Sequence, residues 1–253
     1  MNAALPQEMQ THTYAIMNRV EDSHWWFVGR RAILESFLKR IIKNSKSKTQ
    51  TPKILDVGCG TGANLEMLAN FGAAEGVDVS DEALKFCRTK NLKTHKGLAE
   101  NMPFENESFD LVTALDVVEH LDDDVAGLKE MRRVLRKGGR ALIFVPAFMF
   151  LWGVQDDVSN HRIRYTKKQI IARLKKSGFE IERATYANIT FFAPILAGRT
   201  LMKLTGIKPE SENNVNISAL NPLLGKLFGA ERFWLKHFNF PFGVSIIVVA
   251  KKI

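Results

Sequence analysis

The run Ile54-Leu-Asp-Val-Gly-Cys-Gly-Thr-Gly62 constrains this chain more than any other feature, because an apolar stretch leads straight into three alternating glycines. A buried strand that turns so sharply needs backbone angles that residues with a Cβ resist. A helical pattern starts at Ala63 and completes a strand–turn–helix unit. Units of this kind belong to mostly parallel sheets covered by helices on both faces.

The rest of the chain alternates in the same way. Arg30–Lys43 places Ile33, Leu34, Phe37, Leu38 and Ile41 on one helical face. The polar run Asn44–Lys53 then reads as a linker. Strands are expected at Lys53–Val57, Glu75–Val79, Leu92–Lys96, Asp110–Leu115, Arg140–Val145, Phe179–Tyr186 and Gly243–Ala250. Helices are expected over Ala63–Phe71, from a Ser80 cap through Arg88, from an Asp122 cap to Leu135, and from a Thr166–Gln169 capping box to Gly178. Lys137-Gly138-Gly139 reads as a helix stop. Two stretches break the alternation: the connection Ala147–Tyr165 and an insertion over Asn188–Pro241. Both fall after strands, on the side where open α/β sheets bind ligands.

With 253 residues, 45% of them apolar, the chain suits one decorated α/β domain. Cys59 and Cys87 lack metal-ligand spacing, and Cys59 lies in the glycine turn, so neither structural zinc nor a disulfide is expected. Met1–Glu8 lacks the pattern of a signal peptide, and no apolar run is long enough for a membrane span. A cytoplasmic protein, peripheral on a membrane at most, is the expectation. A net charge of +9 is open to two readings, an anionic partner or a basic solvated surface.

The glycines alone do not choose a cofactor, since Gly58, Gly60 and Ala63 also satisfy a dinucleotide pattern. Two acids add information. Asp56, buried before the turn, suits a cationic amino-acid moiety and would repel a pyrophosphate. Asp78, 22 positions on, is placed to accept hydrogen bonds from a ribose. At this point Ile54–Val145 resembles the class I S-adenosylmethionine-dependent methyltransferases, of the type 11 and type 12 kind. Four motifs carry the likeness: Ile54–Gly62, Gly76–Ser80, Gly97–Phe104 and Phe109–Leu121. The resemblance implies a Rossmann-like seven-stranded, mostly parallel sheet whose last strand is antiparallel. It places Asp56, Gly58, Gly60 and Leu115 at the methionine part of the cofactor, and Asp78 and Val79 at the ribose and adenine. Ala99 and Glu100 fall at the adenine edge, where Leu98 departs from the acid frequent in the family. His24–Arg31 resembles the N-terminal lid of some members, which gives Arg30 or Arg31 the cofactor carboxylate, although a hydrophobic strap fits those residues too. The implied division is a lid and helix over 1–52, a core over 53–187 and 243–253, and a cap over 188–242.

Methyl transfer from a sulfonium needs alignment and exclusion of water, and a base when the acceptor carries a proton. Asp116 and His120 after the fourth strand, and His161 in the long connection, are the candidate catalytic residues. His120 is also open to a structural role, bonded to its loop. Asp116-Val-Val-Glu119-His120 resembles the E-x-x-E-H pattern that ubiquinone-biosynthesis O-methyltransferases associate with a divalent metal. Members without a metal have related motifs, and no metal ligands are assigned. His161, Arg162, Arg164 and Tyr165 suit an anionic acceptor or an anchor for the capped helix. Phe191–Leu204 and Phe228–Phe242 mix large apolar residues with cations, as would an interfacial helix, an acceptor tunnel or a plain cap. Lys39, Arg40, Lys43, Lys46 and Lys48 add a basic segment.

The expected function is methyl transfer to the oxygen or nitrogen of a small-molecule or lipid-, isoprenoid- or glycan-linked acceptor. A nucleic-acid methyltransferase fits the charge but lacks a recognition module. An NAD-dependent oxidoreductase is opposed by Asp56, and a non-enzymatic cofactor-binding protein completes the alternatives.

Overall fold

The computed structural model describes residues 11–43, 51–206 and 217–253. Residues 44–50 of the expected linker, with Lys46 and Lys48, and the start Met1–Glu8 lie outside these residues. Seven strands form one sheet: β1 (Lys53–Val57), β2 (Ala73–Asp78), β3 (Thr94–Lys96), β4 (Phe109–Leu115), β5 (Leu135–Pro146), β6 (Phe179–Ala187) and β7 (Ser245–Lys252). Their order is β3-β2-β1-β4-β5-β7-β6. The first five pair in parallel, and β7 runs antiparallel between β5 and β6. This is the expected mostly parallel sheet with its antiparallel last strand.

Helices α1 (Thr11–Val20) and α2 (Trp25–Lys43) precede the sheet. Among the crossovers are α3 (Ala63–Ala69), α4 (Asp81–Thr89) and α5 (Asp124–Val134). The short α6 (Val154–Val158) and α7 (Lys167–Lys176) lie between β5 and β6, while α8 (Phe192–Thr205) and α9 (Asn221–Leu235) lie between β6 and β7. Alternation along the strands divides the core. Leu55, Val112 and Ile143 pack with Leu128, Met131, Ile170 and Leu174 of α5 and α7. Ile54, Leu111 and Leu142 face the other way, onto Ile33, Leu34 and Leu38 of α2 and Phe228 of α9. The apolar face anticipated on α2 is therefore the buried one.

Three of the boundaries that differ from expectation have a local reason. Helix α2 starts at Trp25, five residues before Arg30, where the Trp25 N–H donates to Asn221 Oδ1 at 3.2 Å. Asp123, not Asp122, caps α5 by accepting from the Ala126 N–H. Lys137-Gly138-Gly139 lies inside β5, where the two glycines accommodate a register break opposite Phe109 and Leu111. The Ser80 cap and the Thr166–Gln169 capping box form as the sequence indicates.

Close approach of α2 and α9 sets the position of the cap. A Cβ on Gly29 would sit 2.6 Å from Cδ1 of Phe228, itself fully buried. Gly29→Ala is expected to destabilise the fold by about 1–3 kcal/mol, since Phe228 has nowhere to move. Urea denaturation checks this; a wild-type midpoint would show that the two helices have slack between them.

Candidate active site

The carboxyl ends of β1, β2, β4 and β5 open into a cavity of about 560 Å³. At its floor Gly58 and Gly60 hold left-handed angles, φ +65° and +54°. A Cβ on Gly58 would strike Val117 at 2.5 Å, whereas a Cβ on Gly60 would meet nothing within 4 Å. The turn is thus packed tightly from below at one glycine and has room for a ligand at the other. Asp78, at the end of β2, accepts from the Gly60 N–H at 2.8 Å and the Ser80 N–H at 2.9 Å, so it braces the turn as well as lining the cavity.

Eight of the nine residues expected to bind the cofactor line this cavity: Arg30, Gly58, Gly60, Asp78, Val79, Ala99, Glu100 and Leu115. Asp56 is the exception. It is buried beneath the turn, where one oxygen accepts from Thr113 Oγ1 at 2.6 Å and Oδ2 has no hydrogen-bond partner. Burial pushes its carboxyl up to about 7, against the opposing pull of Thr113 and Arg30.

The aromatic strap His24–Arg31 lines the cavity from the other side. Trp26, Phe27 and Phe144 surround the Arg30 guanidinium, with the Trp26 ring 4.6 Å away. Arg30 pairs with Asp116 and donates to Asn64 Oδ1 at 3.2 Å. Asp116 follows β4 with φ at +60°, a strained angle for an aspartate, and burial raises its carboxyl despite Arg30. Arg31 turns toward the Glu21 carbonyl and Asp22 instead. Glu21 itself accepts from the Thr61 hydroxyl at 2.7 Å, which ties the end of the first helical hairpin to the glycine turn.

All three catalytic candidates, Asp116, His120 and His161, reach the cavity. The rings of His120 and His161 meet edge to face with centroids 4.7 Å apart. His161 Nδ1 bonds Asp156 at 2.8 Å, which presents Nε2 toward Glu119, 3.9 Å away. His120 is driven down to about 3 by burial and then by the charge of His161, so it is neutral at physiological pH. Glu119 is fully buried with neither oxygen hydrogen-bonded; burial and the Asp116 charge hold its carboxyl well above the usual range. Donor atoms of Glu119, His120 and His161 lie within 4.8 Å of one another and could hold a metal ion. This trio differs from the sequence pattern: Asp116 is engaged by Arg30, and His161 takes its place.

Asp156 was not visible as a site residue from sequence. Its carboxylate is buried and meets His161, Arg164 Nη1 at 2.7 Å, Arg199 Nη1 at 3.3 Å and the Gly153 N–H at 2.8 Å. Burial alone would raise its carboxyl, but His161 and the two arginines outweigh that and hold it far below the usual range. Arg164 also donates to the carbonyls of Ala147 and Val244, Arg162 pairs with Asp122, and the Tyr165 hydroxyl bonds Asp124 at 2.9 Å. The polar groups of these three residues are engaged within the chain, as the anchor reading of the two requires.

A glycine turn between β1 and α3, an acid at the end of β2 and a sheet with one antiparallel strand near its edge define a Rossmann-like cofactor-binding fold of the class I methyltransferase type. Residues 55–143 match the family model described as a methyltransferase domain. The demethylmenaquinone methyltransferase of Chlorobaculum parvum is 40% identical over 116 residues, covering 42% of this chain and 48% of that protein. The chloroplastic tocopherol O-methyltransferase of Arabidopsis thaliana is 30% identical over 123 residues, 45% of this chain and 35% of that protein. The matched segment thus spans about half or less of these curated relatives. Among solved structures, an S-adenosylmethionine-dependent methyltransferase from Thermotoga maritima has a TM-score of 0.59 at 17% identity, covering 97% of this chain and all of that one (100%). The Haemonchus contortus phosphoethanolamine N-methyltransferase 2, solved with S-adenosylmethionine, has a TM-score of 0.55 at 19% identity, covering 85% of this chain and 52% of that one. Residues 55–143 thus resemble a methyltransferase domain, set in a fold of the class I S-adenosylmethionine-dependent type.

Asp156→Ala strands two buried arginines and is expected to cost about 3–5 kcal/mol in urea denaturation. Because the Asp156 carboxyl lies far below its unfolded value, its stabilisation is fully present above the ordinary carboxylate range and is lost progressively as pH falls from there through its depressed folded value. A variant within about 0.5 kcal/mol of wild type would contradict this role.

Proposed function

We propose that this chain transfers the methyl group of S-adenosylmethionine to an oxygen or nitrogen of a small, largely apolar acceptor, of the quinone, isoprenoid-linked or glycan-linked kind. The observation that carries the reading is the continuity of the cavity: the glycine turn, the Asp116–His120–His161 group and the underside of α8 all line it. Relatives that act on demethylmenaquinone and tocopherol support an apolar acceptor.

When bound, the cofactor supplies a methyl group already activated by a sulfonium, so the chain has to place the acceptor in line and keep water away. Gly58 and Gly60 let the backbone approach the amino-acid part, with Leu115 beside it. The unpartnered oxygen of Asp56 is the group left for the ammonium, and Arg30 faces the carboxylate. Asp78 receives the ribose, Val79 packs on the adenine, and Ala99 and Glu100 border its edge. His161 takes the acceptor proton on Nε2. Asp156 is its positioning residue, holding Nδ1 and leaving Nε2, on the side of Glu119, as the nitrogen open to a proton. Neutral His120 forms the wall beside it. Asp116 acts through Arg30, whose guanidinium it orients.

Two measurements test this. The Asp56 carboxyl is protonated below about pH 7, and the ammonium of the ligand favours the ionised form, so binding is stronger on the alkaline side. The affinity for S-adenosylhomocysteine, read by calorimetry, is expected to fall as pH drops below about 7, by up to ~10-fold per unit. Asp56→Asn should bind weakly with a flat profile; a flat wild-type profile would remove Asp56 from the cofactor site. With labelled S-adenosylmethionine and a quinol acceptor, His161→Ala is expected to lower kcat about 100-fold or more while S-adenosylhomocysteine affinity stays near wild type. Unchanged turnover would reject His161 as the base.

A further inference from the structure

Helix α8 is built the wrong way round for a helix that packs on its own protein. A surface helix of a globular protein buries its apolar stripe and shows its polar one. In α8, Phe192-Ala-Pro-Ile-Leu-Ala-Gly-Arg-Thr-Leu-Met-Lys-Leu-Thr205, the sole buried residue is Arg199. Its guanidinium is held by the Leu151 carbonyl and by Asp156, 3.3 Å from Oδ2. Leu201 and Leu204 are 61% and 80% exposed, and beside them the turn after β5 shows Met149 and Phe150 at 51% and 55%. Lys203 joins the two pieces, its Nζ donating to the Phe150 carbonyl at 3.3 Å. The rings of Phe148, Phe150, Phe192 and Phe242 form one continuous cluster next to them, with successive centroids 5.0–6.3 Å apart.

The exposed charge among the described residues of 188–242 has one sign. Among the described residues of 188–242 the single acid is Glu231, buried against the Asn188 and Thr190 N–H groups. Lys203, Lys226, Arg232 and Lys236 are all exposed. Large apolar side chains interleaved with cations, and no exposed acid among the described residues of 188–242, complement a surface of acyl chains under anionic headgroups. No described helix is long and apolar enough to cross a membrane, so α8 would lie along the surface.

An adjoining stripe of the same helix reaches the site. Pro194, Ile195, Gly198 and Met202 line the cavity that holds the glycine turn and His161. One helix therefore has an apolar outer face in solvent and an inner face over the acceptor end of the cavity.

We propose that α8 and the Met149–Phe150 turn dock on an anionic lipid bilayer and admit a membrane-dissolved acceptor to the cavity beneath α8. This deepens the reading of an apolar acceptor, but the docking itself needs no methyl transfer and is tested apart from it. Flotation of the full chain is compared on phosphatidylcholine vesicles with and without phosphatidylglycerol. The wild type is expected to float with the anionic vesicles. Leu201→Glu/Leu204→Glu, at two positions that do not line the cavity, is expected to lose at least ~10-fold in bound fraction. Its S-adenosylhomocysteine thermal shift reports that the variant is folded with its cofactor site intact; should it fail to fold, Lys203→Glu/Lys226→Glu serves instead and is expected to lose binding in the same direction. Wild-type protein left at the bottom of the gradient overturns the proposal, as does equal flotation of folded variants. A wild-type dimer on gel filtration that becomes a monomer in the variant, without flotation of either, would assign the face to a second copy and also overturn it.

Discussion

One buried carboxylate holds the functional half of this molecule together. Asp156 draws in His161, Arg164 and Arg199, which come from the connection after β5 and from α8. Arg164 then extends the link to the carbonyls of Ala147 and Val244, at the ends of β5 and the entry to β7. Charges this deep are tolerated only when paired and hydrogen-bonded, and two guanidinium groups with one imidazole meet that condition. The cluster fixes the orientation of a histidine facing the cavity and the attachment of the helix that covers it.

A second pair plays the matching part on the cofactor side. Arg30 of α2 and Asp116 after β4 are 86 positions apart and meet over the glycine turn. Three aromatic rings enclose the guanidinium, which strengthens the pair by excluding water. The strained backbone at Asp116 is maintained because its N–H donates to Phe144 and its side chain is held by Arg30. Glu119, three residues later, has no such partner. A half-buried acid and a fully buried one thus differ in their compensation, and Glu119 is the group in the site that a cation or a donating ligand would satisfy.

Local features were legible in the sequence because local physics decides them. The strand–glycine–helix turn, the Ser80 cap, the Thr166–Gln169 box and the apolar face of α2 each depend on residues a few positions apart. The start of α2 was not legible, because it is capped by Asn221 from the far end of the chain. Nor was the path of Lys137-Gly138-Gly139, where pairing with β4 overrides the turn preference of two glycines. For the site, the glycine turn, Asp78 and the histidines could be picked out by motif. Asp156 could not, since Arg199 lies 43 positions away and only the fold of the cap brings it near. Arg162, Arg164 and Tyr165, open from sequence to an acceptor or an anchor role, illustrate the converse: their chemistry suits an anion, but nearby carboxylates engage them within the chain.

The central claim is that the cavity takes a sulfonium cofactor and not a dinucleotide. Asp56 and Asp78 both lie at the glycine turn, where two acids favour a cationic amino acid over a pyrophosphate. Thermal-shift measurement of the full chain with S-adenosylhomocysteine, NAD and NADP tests this most directly. The account predicts stabilisation by S-adenosylhomocysteine alone; stabilisation by NAD or NADP without a response to S-adenosylhomocysteine would contradict it.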